Sequence, residues 1–428
     1  MLKAKGNLYL ILICLVHIGF FLLNNPGPPS TDDKIYFDEA VNILEGDWQL
    51  NESPKNHRFG IILPVAALIA VFGDSPHILA IWPLLFSLAT IVLLYVFLKK
   101  IGGIRMAVIG ASFLALSLCQ LIYASALFPD VIISFFFLLI PVLLFSGISS
   151  AKNLRIGVCA GLLFLPALFV RENILFILPA IGILFLATLS ISGAWKMFAA
   201  FFASAAFSIL VWILTFYILS GDALFVYNTV ESQYSLTFAS PVDMALLERL
   251  IFEPPGMFFR SLTFLPLILL SAPVFLSLLV KRKPLSEPVM WWTVFFIGLL
   301  LTFWAGTTSL NQYSLLLMLE RLWLPLVPVL CVLASFALEQ PAEITEIKFR
   351  RRTIFFFCML IMIFSLFYVG WERFIFYLAF IVCLEGAWYG VQQEHQKRNW
   401  ELLVLVFPFL ILACYLTITN SRFLSDIF

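Results

Sequence analysis

The sequence predicts an all-α, polytopic membrane protein with about thirteen membrane-spanning helices and interfacial helices in its first external loop. Three observations carry this. Of 428 residues, 62% are hydrophobic and only 12% charged, about half the charged share of a soluble globular domain. Apolar runs of spanning length recur from end to end, with a mean hydropathy of +1.03. Lys and Arg also alternate in abundance from one connection to the next. The chain, 1–428, reads as a single transmembrane domain in contact with the lipid bilayer. A net charge of +1 identifies no partner, and no basic patch points to nucleic acid.

The seven cysteines, Cys14, Cys119, Cys159, Cys331, Cys358, Cys383 and Cys414, all lie inside apolar runs and form no CxxC pair. They read as small apolar residues, neither a disulfide framework nor a zinc site.

Taken in order, Lys3 and Lys5 precede a first span at 8–23. A basic start and apolar core fit a signal peptide, but no small-x-small cleavage site follows. Asn24-Asn25-Pro26-Gly27-Pro28-Pro29 reads as a helix stop, so the segment is expected to remain as an anchor.

A first external loop, 24–77, comes next. Phe37, Ala40, Val41, Leu44 and Trp48 fall at helical spacing, with Asp38, Asn42, Glu45 and Asp47 between them. That pattern predicts an interfacial amphipathic helix with Trp48 at headgroup level. The apolar run 59–72 is short for a span and reads as a re-entrant or membrane-parallel helix. Further spans are expected at 78–98, 106–123, 131–144, 156–170, 174–190, 197–219, 262–280, 290–303, 322–338, 354–369, 374–389 and 402–419. A second long external loop covers 221–260. No soluble domain, low-complexity tract, internal repeat or Gly-rich nucleotide loop is evident in the sequence.

The cations set the orientation. One set of alternate connections holds Lys3, Lys5, Lys99, Lys100, Arg105, Lys152, Arg155, Lys196, Lys281, Arg282, Lys283, Lys348, Arg350, Arg351, Arg352, Lys397 and Arg398. The other holds Lys34, Lys55, Arg58, Arg171, Arg249, Arg260, Arg321, Arg373 and Arg422. Seventeen against nine of the 26 Lys and Arg residues makes the first set cytoplasmic and the N-terminus cytoplasmic. A site built on the second set lies on the external face.

That face carries the candidate chemistry. Asp38-Glu39 sits in the expected first turn of the amphipathic helix, where the dipole favours acids. Adjacent helical residues point apart, so only one can enter a given cleft. One reading is a general base for an acceptor hydroxyl; the other is a solvated helix start. Asp130, after Pro129, opens a span on the same face. It reads as an N-cap, or as an acid that orients an acceptor or binds a divalent cation with Asp38 or Glu39. Lys55, His57, Arg58, Arg171 and Arg321 are the cations there. Arginine grips phosphate with two parallel hydrogen bonds, so the group suggests a lipid-phosphate site; each alone is as readily an interfacial anchor or a partner of Glu172 or Glu320. His17 and Glu385 lie inside spans and read as packed polar groups. Residues 304–309 read as a loop, and the sequon at Asn51-Glu52-Ser53 precedes Pro54 and carries no weight.

The ordered set resembles the GT-C superfamily of integral-membrane glycosyltransferases, in particular the protein O-mannosyltransferase and lipid A aminoarabinose transferase group. The resemblance rests on Asp38-Glu39 in the first external loop and on Asn56-His57-Arg58-Phe59-Gly60 leading to Phe72-Gly73-Asp74-Ser75. It continues with Pro129-Asp130, Arg171-Glu172-Asn173, and Arg321 before a Pro-rich span. It covers residues 1–190 well and the remainder mainly by topology, and His57-Arg58-Phe59 departs from the family's His-Pro-Pro.

The resemblance implies an inverting hexosyl- or pentosyltransferase. Its donor would be a sugar on polyprenyl phosphate, and its acceptor a membrane lipid, glycan or protein. Asp38 would be the base, with Glu39 as helper or alternative base. Asp130 would position the acceptor or a metal. Lys55, His57, Arg58, Arg171 and Arg321 would hold the donor phosphate. A divalent cation, Mg or Mn on Asp38 and Asp130, stays open. The location implied is a bacterial inner or plasma membrane, with the site periplasmic or lumenal. Two other readings stand beside it. A lipid-linked oligosaccharide polymerase or ligase would centre on 221–260. A transporter or flippase would carry ionisable residues at mid-membrane, whereas here they gather at span ends.

Overall fold

The computed structural model describes residues 2–23, 32–148, 150–189, 191, 193–238, 258, 261, 263–280, 286–306 and 320–339. The expected spans at 354–369, 374–389 and 402–419, and most of the second long loop, lie outside these residues. All regular structure among the described residues is helical.

Helix α1 is Leu2–Leu23, α2 Asp32–Glu45, α3 Phe59–Phe72, α4 Pro76–Leu79 and α5 Ile81–Ala115. Then come α6 Leu118–Ala124, α7 Pro129–Gly147, α8 Asn153–Leu162, α9 Phe164–Val170, α10 Ile177–Ala187, α11 Ala194–Ser220 and α12 Phe225–Phe238. Helix α13 is Phe264–Val280, α14 Glu287–Ala305 and α15 Leu326–Glu339. Short 3-10 turns, Glu172–Phe176 and Glu320–Trp323, lead into α10 and α15. Among the described residues, six helical segments are long and apolar enough to cross a membrane, as a multi-pass membrane protein requires. The fourteen-residue apolar helix expected at 59–72 forms with those bounds.

Helix α5, 35 residues long, would measure about 52 Å if straight, against a hydrocarbon core of about 30 Å. It is not straight. Gly103 breaks it with φ +87°, a backbone region that L side chains avoid. A Cβ on Gly110 would lie 2.2 Å from Leu98 Cδ1; twelve helical residues would separate the two by about 18 Å. The chain therefore folds back at Gly103. The pass expected at 78–98 is its first arm; the run expected at 106–123 is split between its second arm, which ends at Ala115, and α6.

Close packing between helices rests on small residues. Cβ atoms on Gly157 and Gly161 of α8 would stand 2.2 Å from Met197 O and 2.5 Å from Phe201 O of α11. This small-xxx-small stripe lets two backbones touch where lipid supplies no hydrophobic drive. Helix α1 is tied in by polar contacts: His17 Nδ1 donates to Ala115 O at 2.8 Å, and Nε2 accepts from Ser87 Oγ at 2.8 Å. Gln120 Nε2 then donates to the same Ser87 oxygen at 2.8 Å. His17 is thus a packed polar group facing the bundle, as its sequence position suggested.

Candidate active site

The site forms where four connections meet. Helix α2 starts with Asp32 and Asp33 in its first turn, where the positive helix end favours acids. Asp32 accepts from Lys55 Nζ at 2.6 Å and from Arg321 Nη1 at 3.2 Å. Arg321 lies in the 3-10 turn before α15, its guanidinium 5.1 Å from the centre of the Phe128 ring, a cation–π distance. Phe128 directly precedes α7, whose first turn carries Asp130. Asp130 accepts from Arg171 Nη1, and Arg171 caps the end of α9. The next residue, Glu172, takes Arg58 Nη2 at 3.3 Å, while Arg58 Nη1 donates to the Tyr36 hydroxyl at 2.5 Å. Gly60 brings these parts together. A Cβ there would meet Val170 N at 2.9 Å, so α3 rests directly on the end of α9 and Arg58 arrives beside Glu172.

The electrostatics follow from this crowding. Burial would raise Asp32, but the hydrogen bond from Lys55 and the charges of Arg321, Lys55 and Arg58 outweigh it and hold the carboxyl below its usual range. Burial likewise opposes Glu172 ionisation, and Arg58, Arg171 and His57 overcome it, so this carboxyl also sits low. Tyr36 goes the other way: burial outweighs the nearby guanidiniums and raises its phenol. His57 is 3% exposed and lies against the Phe216 and Phe225 rings at 5.4 and 6.3 Å. Burial, only partly offset by Glu172, lowers its pKa to about 4, so it is neutral at pH 7.

Of the residues singled out in the sequence, Lys55, Arg58, Arg171, Arg321 and Asp130 come together. His57 borders them as an uncharged ring. Asp38 is exposed on α2, and Glu39 points toward the loop, accepting from Asn51 and Asn56. The carboxylate amid the cations is Asp32, six residues before Asp38, which sequence reading passed over together with Tyr36. Asp32, Tyr36 and Glu39 follow an i, i+4, i+7 helical stripe, a signal available in the sequence. The pairings also differ from the neighbours-in-sequence expectation: Arg171 meets Asp130, and Glu172 meets Arg58.

The donor set also bears on a metal. Asp130 is 1% exposed and carries the Arg171 guanidinium, and Asp38 faces outward. Among the described residues no group of three or more His, Cys, Asp or Glu stands where it would hold a metal ion.

No protein-family model and no curated protein matches the sequence. Solved structures do. ArnT from Cupriavidus metallidurans in the apo state superposes with a TM-score of 0.61 at 14% identity, covering 97% of this chain and 76% of that one. The same protein bound to undecaprenyl phosphate gives 0.61 at 15% identity, over 98% and 76%. The archaeal oligosaccharyltransferase AglB from Archaeoglobus fulgidus, in complex with an inhibitory peptide and a dolichol-phosphate, gives 0.57 at 14% identity, over 97% and 56%. The fold is the one these membrane proteins share. At these identities the likeness is one of fold. The sequence resemblance rested mainly on residues 1–190, and the likeness in fold covers nearly the whole chain.

Proposed function

We propose that this protein is an inverting glycosyltransferase. It moves a hexosyl or pentosyl group from a polyprenyl-phosphate donor to a lipid, glycan or protein acceptor on the external or lumenal membrane face. The observation that carries the reading is the convergence of Lys55, Arg58, Arg171 and Arg321, from three separate connections, at one end of an apolar helix bundle. Such a site suits a headgroup that is anionic and a tail that stays in lipid. The GT-C fold, shared with a structure that holds undecaprenyl phosphate, supports it.

In the reaction, the acceptor hydroxyl oxygen attacks the anomeric carbon while the bond from that carbon to the phosphate oxygen breaks. The electron pair leaves on the phosphate, and the hydroxyl proton passes to a carboxylate. One displacement inverts the anomeric centre. Positioned guanidinium and ammonium groups stabilise the charge that gathers on the leaving phosphate.

We assign the proton to Asp32 in place of Asp38, because Asp32 shares the cations that the phosphate would meet. When the donor phosphate draws Lys55 and Arg321 toward itself, Asp32 loses its counterions. Its proton affinity rises at the moment a base is needed. Tyr36, kept as a phenol, orients Arg58, and Asp130 orients Arg171.

The test uses purified protein in nanodiscs, a panel of polyprenyl-phosphate monosaccharides and a crude membrane acceptor extract, with donor consumption followed by mass spectrometry. Loss of about 10²–10⁴ in rate for Asp32→Asn, with Asp38→Asn near wild type, supports the assignment. The reverse pattern returns the base to Asp38. Accumulation of donor inside proteoliposomes without covalent product replaces the transferase by a transporter.

A further inference from the structure

Helix α2 grips the segment that follows it at three points on one face. Asp32 takes Lys55, Tyr36 takes Arg58, and Glu39 takes Asn56. The first two contacts involve groups of the phosphate site. The third does not, yet it is the most elaborate. Asn56 is fully buried. Its Nδ2 donates to Glu39 Oε2 at 2.7 Å and to Gln49 O at 3.2 Å, and its Oδ1 accepts from the backbone N–H of Asn51 at 3.1 Å. Asn51 Nδ2 returns to the other oxygen of the same carboxylate at 3.3 Å. One carboxylate thus closes a loop at both its ends, between residues 51 and 56.

We infer that Glu39 is a positioning residue: with Asn56 it latches the 49–58 segment onto α2 and so sets where Lys55 and Arg58 stand in the site. The segment needs such a device. It has no regular secondary structure before α3, and it carries two cations that would otherwise favour water. Glu39 accepts two side-chain amides, one on each carboxylate oxygen. The latch acts as a unit: without Glu39, Asn56 keeps only Gln49 O and the Asn51 amide, and without Asn56, Glu39 keeps only the Asn51 side chain, so neither half alone ties the segment to α2. This inference rests on the proposed lipid-phosphate site for its effect on binding, and on the latch contacts alone for its effect on the loop.

The experiment therefore has two readouts on Glu39→Gln, Glu39→Ala, Asn56→Ala and the Glu39→Ala/Asn56→Ala pair. The first is hydrogen exchange of the full-length protein in nanodiscs. Amides of 49–58 exchange at least tenfold faster in each variant, while those of α7 and α11 keep their wild-type protection, and the double variant is no worse than either single one. The second is turnover with the polyprenyl-phosphate monosaccharide found for wild type. KM for that donor rises tenfold or more while kcat changes less than threefold.

Unchanged exchange in 49–58, or additive effects of the two substitutions, overturns the latch. A fall in kcat at constant KM, with loop exchange unchanged, overturns it in favour of Glu39 as the base. Where wild type consumes none of the donors, the transferase reading fails while the exchange result still decides the latch. Glu39→Gln keeps the side-chain shape and one acceptor oxygen, and so separates a lost latch from a misfolded chain.

Discussion

Gly60→Ala tests whether the approach of α3 to α9 builds the site. A Cβ at this position would lie 2.6 Å from Val170 Cγ2, 2.9 Å from Val170 N and 3.0 Å from Phe169 C. The methyl group can rotate away; the two backbone atoms cannot. Non-bonded heavy atoms settle at about 3.5–4.0 Å, so the α3 start and the α9 end must part by roughly 0.5–1 Å. Over-packing of this kind costs about 1–3 kcal/mol. The displacement falls on the site, because Arg58 lies two residues before Gly60 and Glu172 two after Val170. Their contact, now 3.3 Å, would lengthen to roughly 4 Å, past hydrogen-bond reach. A misplacement of about 1 Å at a reacting centre costs up to about 10²-fold in rate. The assay is thermal unfolding in detergent together with donor turnover in nanodiscs. The expected result is a lowered Tm and a ten- to hundredfold slower reaction. Gly182→Ala on α10, where a Cβ meets nothing within 4 Å, is the control and should leave both unchanged or raise Tm slightly. Wild-type Tm and rate in Gly60→Ala would refute the reasoning.

Three further outcomes follow from the same structure. Arg171→Ala leaves the Asp130 carboxylate buried without its guanidinium, at a cost of about 3–5 kcal/mol; adding Asp130→Asn should recover part of the lost Tm, and equal Tm values for all three proteins would contradict the pairing. Gly161→Leu should force α8 off α11 and destabilise by at least the 1–3 kcal/mol of a core over-packing, read as lost folded protein in detergent; a fully stable variant would show that the stripe is not a contact. Asp32 has a lowered pKa in the folded state, so its stabilisation is complete above the unfolded value of about 3.9 and is lost as pH falls through the folded value. With its partners about a quarter exposed, that stabilisation is about 1 kcal/mol. Tm for wild type and Asp32→Asn should differ at neutral pH and converge in acid.

The helices were legible because a bilayer demands long apolar runs, and the described runs fall within a few residues of their expected bounds. The short helix at 59–72 was legible for the same reason, whereas the run expected at 106–123 breaks after Ala115. That Lys55, Arg58, Arg171 and Arg321 share one end of the bundle followed from counting connections alternately. What the sequence did not show was pairing. Arg171 and Asp130 are 41 positions apart, and Arg321 and Asp32 are 289 apart; no local pattern assigns such partners, and nearest charges in sequence were the wrong guide. Asp32 was passed over for a different reason. The amphipathic pattern was read from Phe37 onward, whereas the helix starts five residues earlier, at Asp32. Gly157 and Gly161 stood four apart in plain view, but spacing alone does not say which helix a glycine stripe will meet.

The reversal at Gly103 has a bearing on compartments. The first arm of α5 begins near the site, where Trp82 Nε1 donates to Gly60 O at 3.1 Å. It ends at a tip flanked by Lys99, Lys100 and Arg105, beside Gly6 of α1. The arm's 22 residues rise about 33 Å, one bilayer thickness. A hairpin inserts as a unit, and three cations on its tip resist translocation. On the proposed orientation the tip is a topological stake, kept on the cytoplasmic side while the opposite end, with Asp32 and its cations, crosses the membrane. Neutralising those three positions in a strain carrying accessibility reporters at the two ends would loosen the stake, and a mixed population of orientations is the expected result.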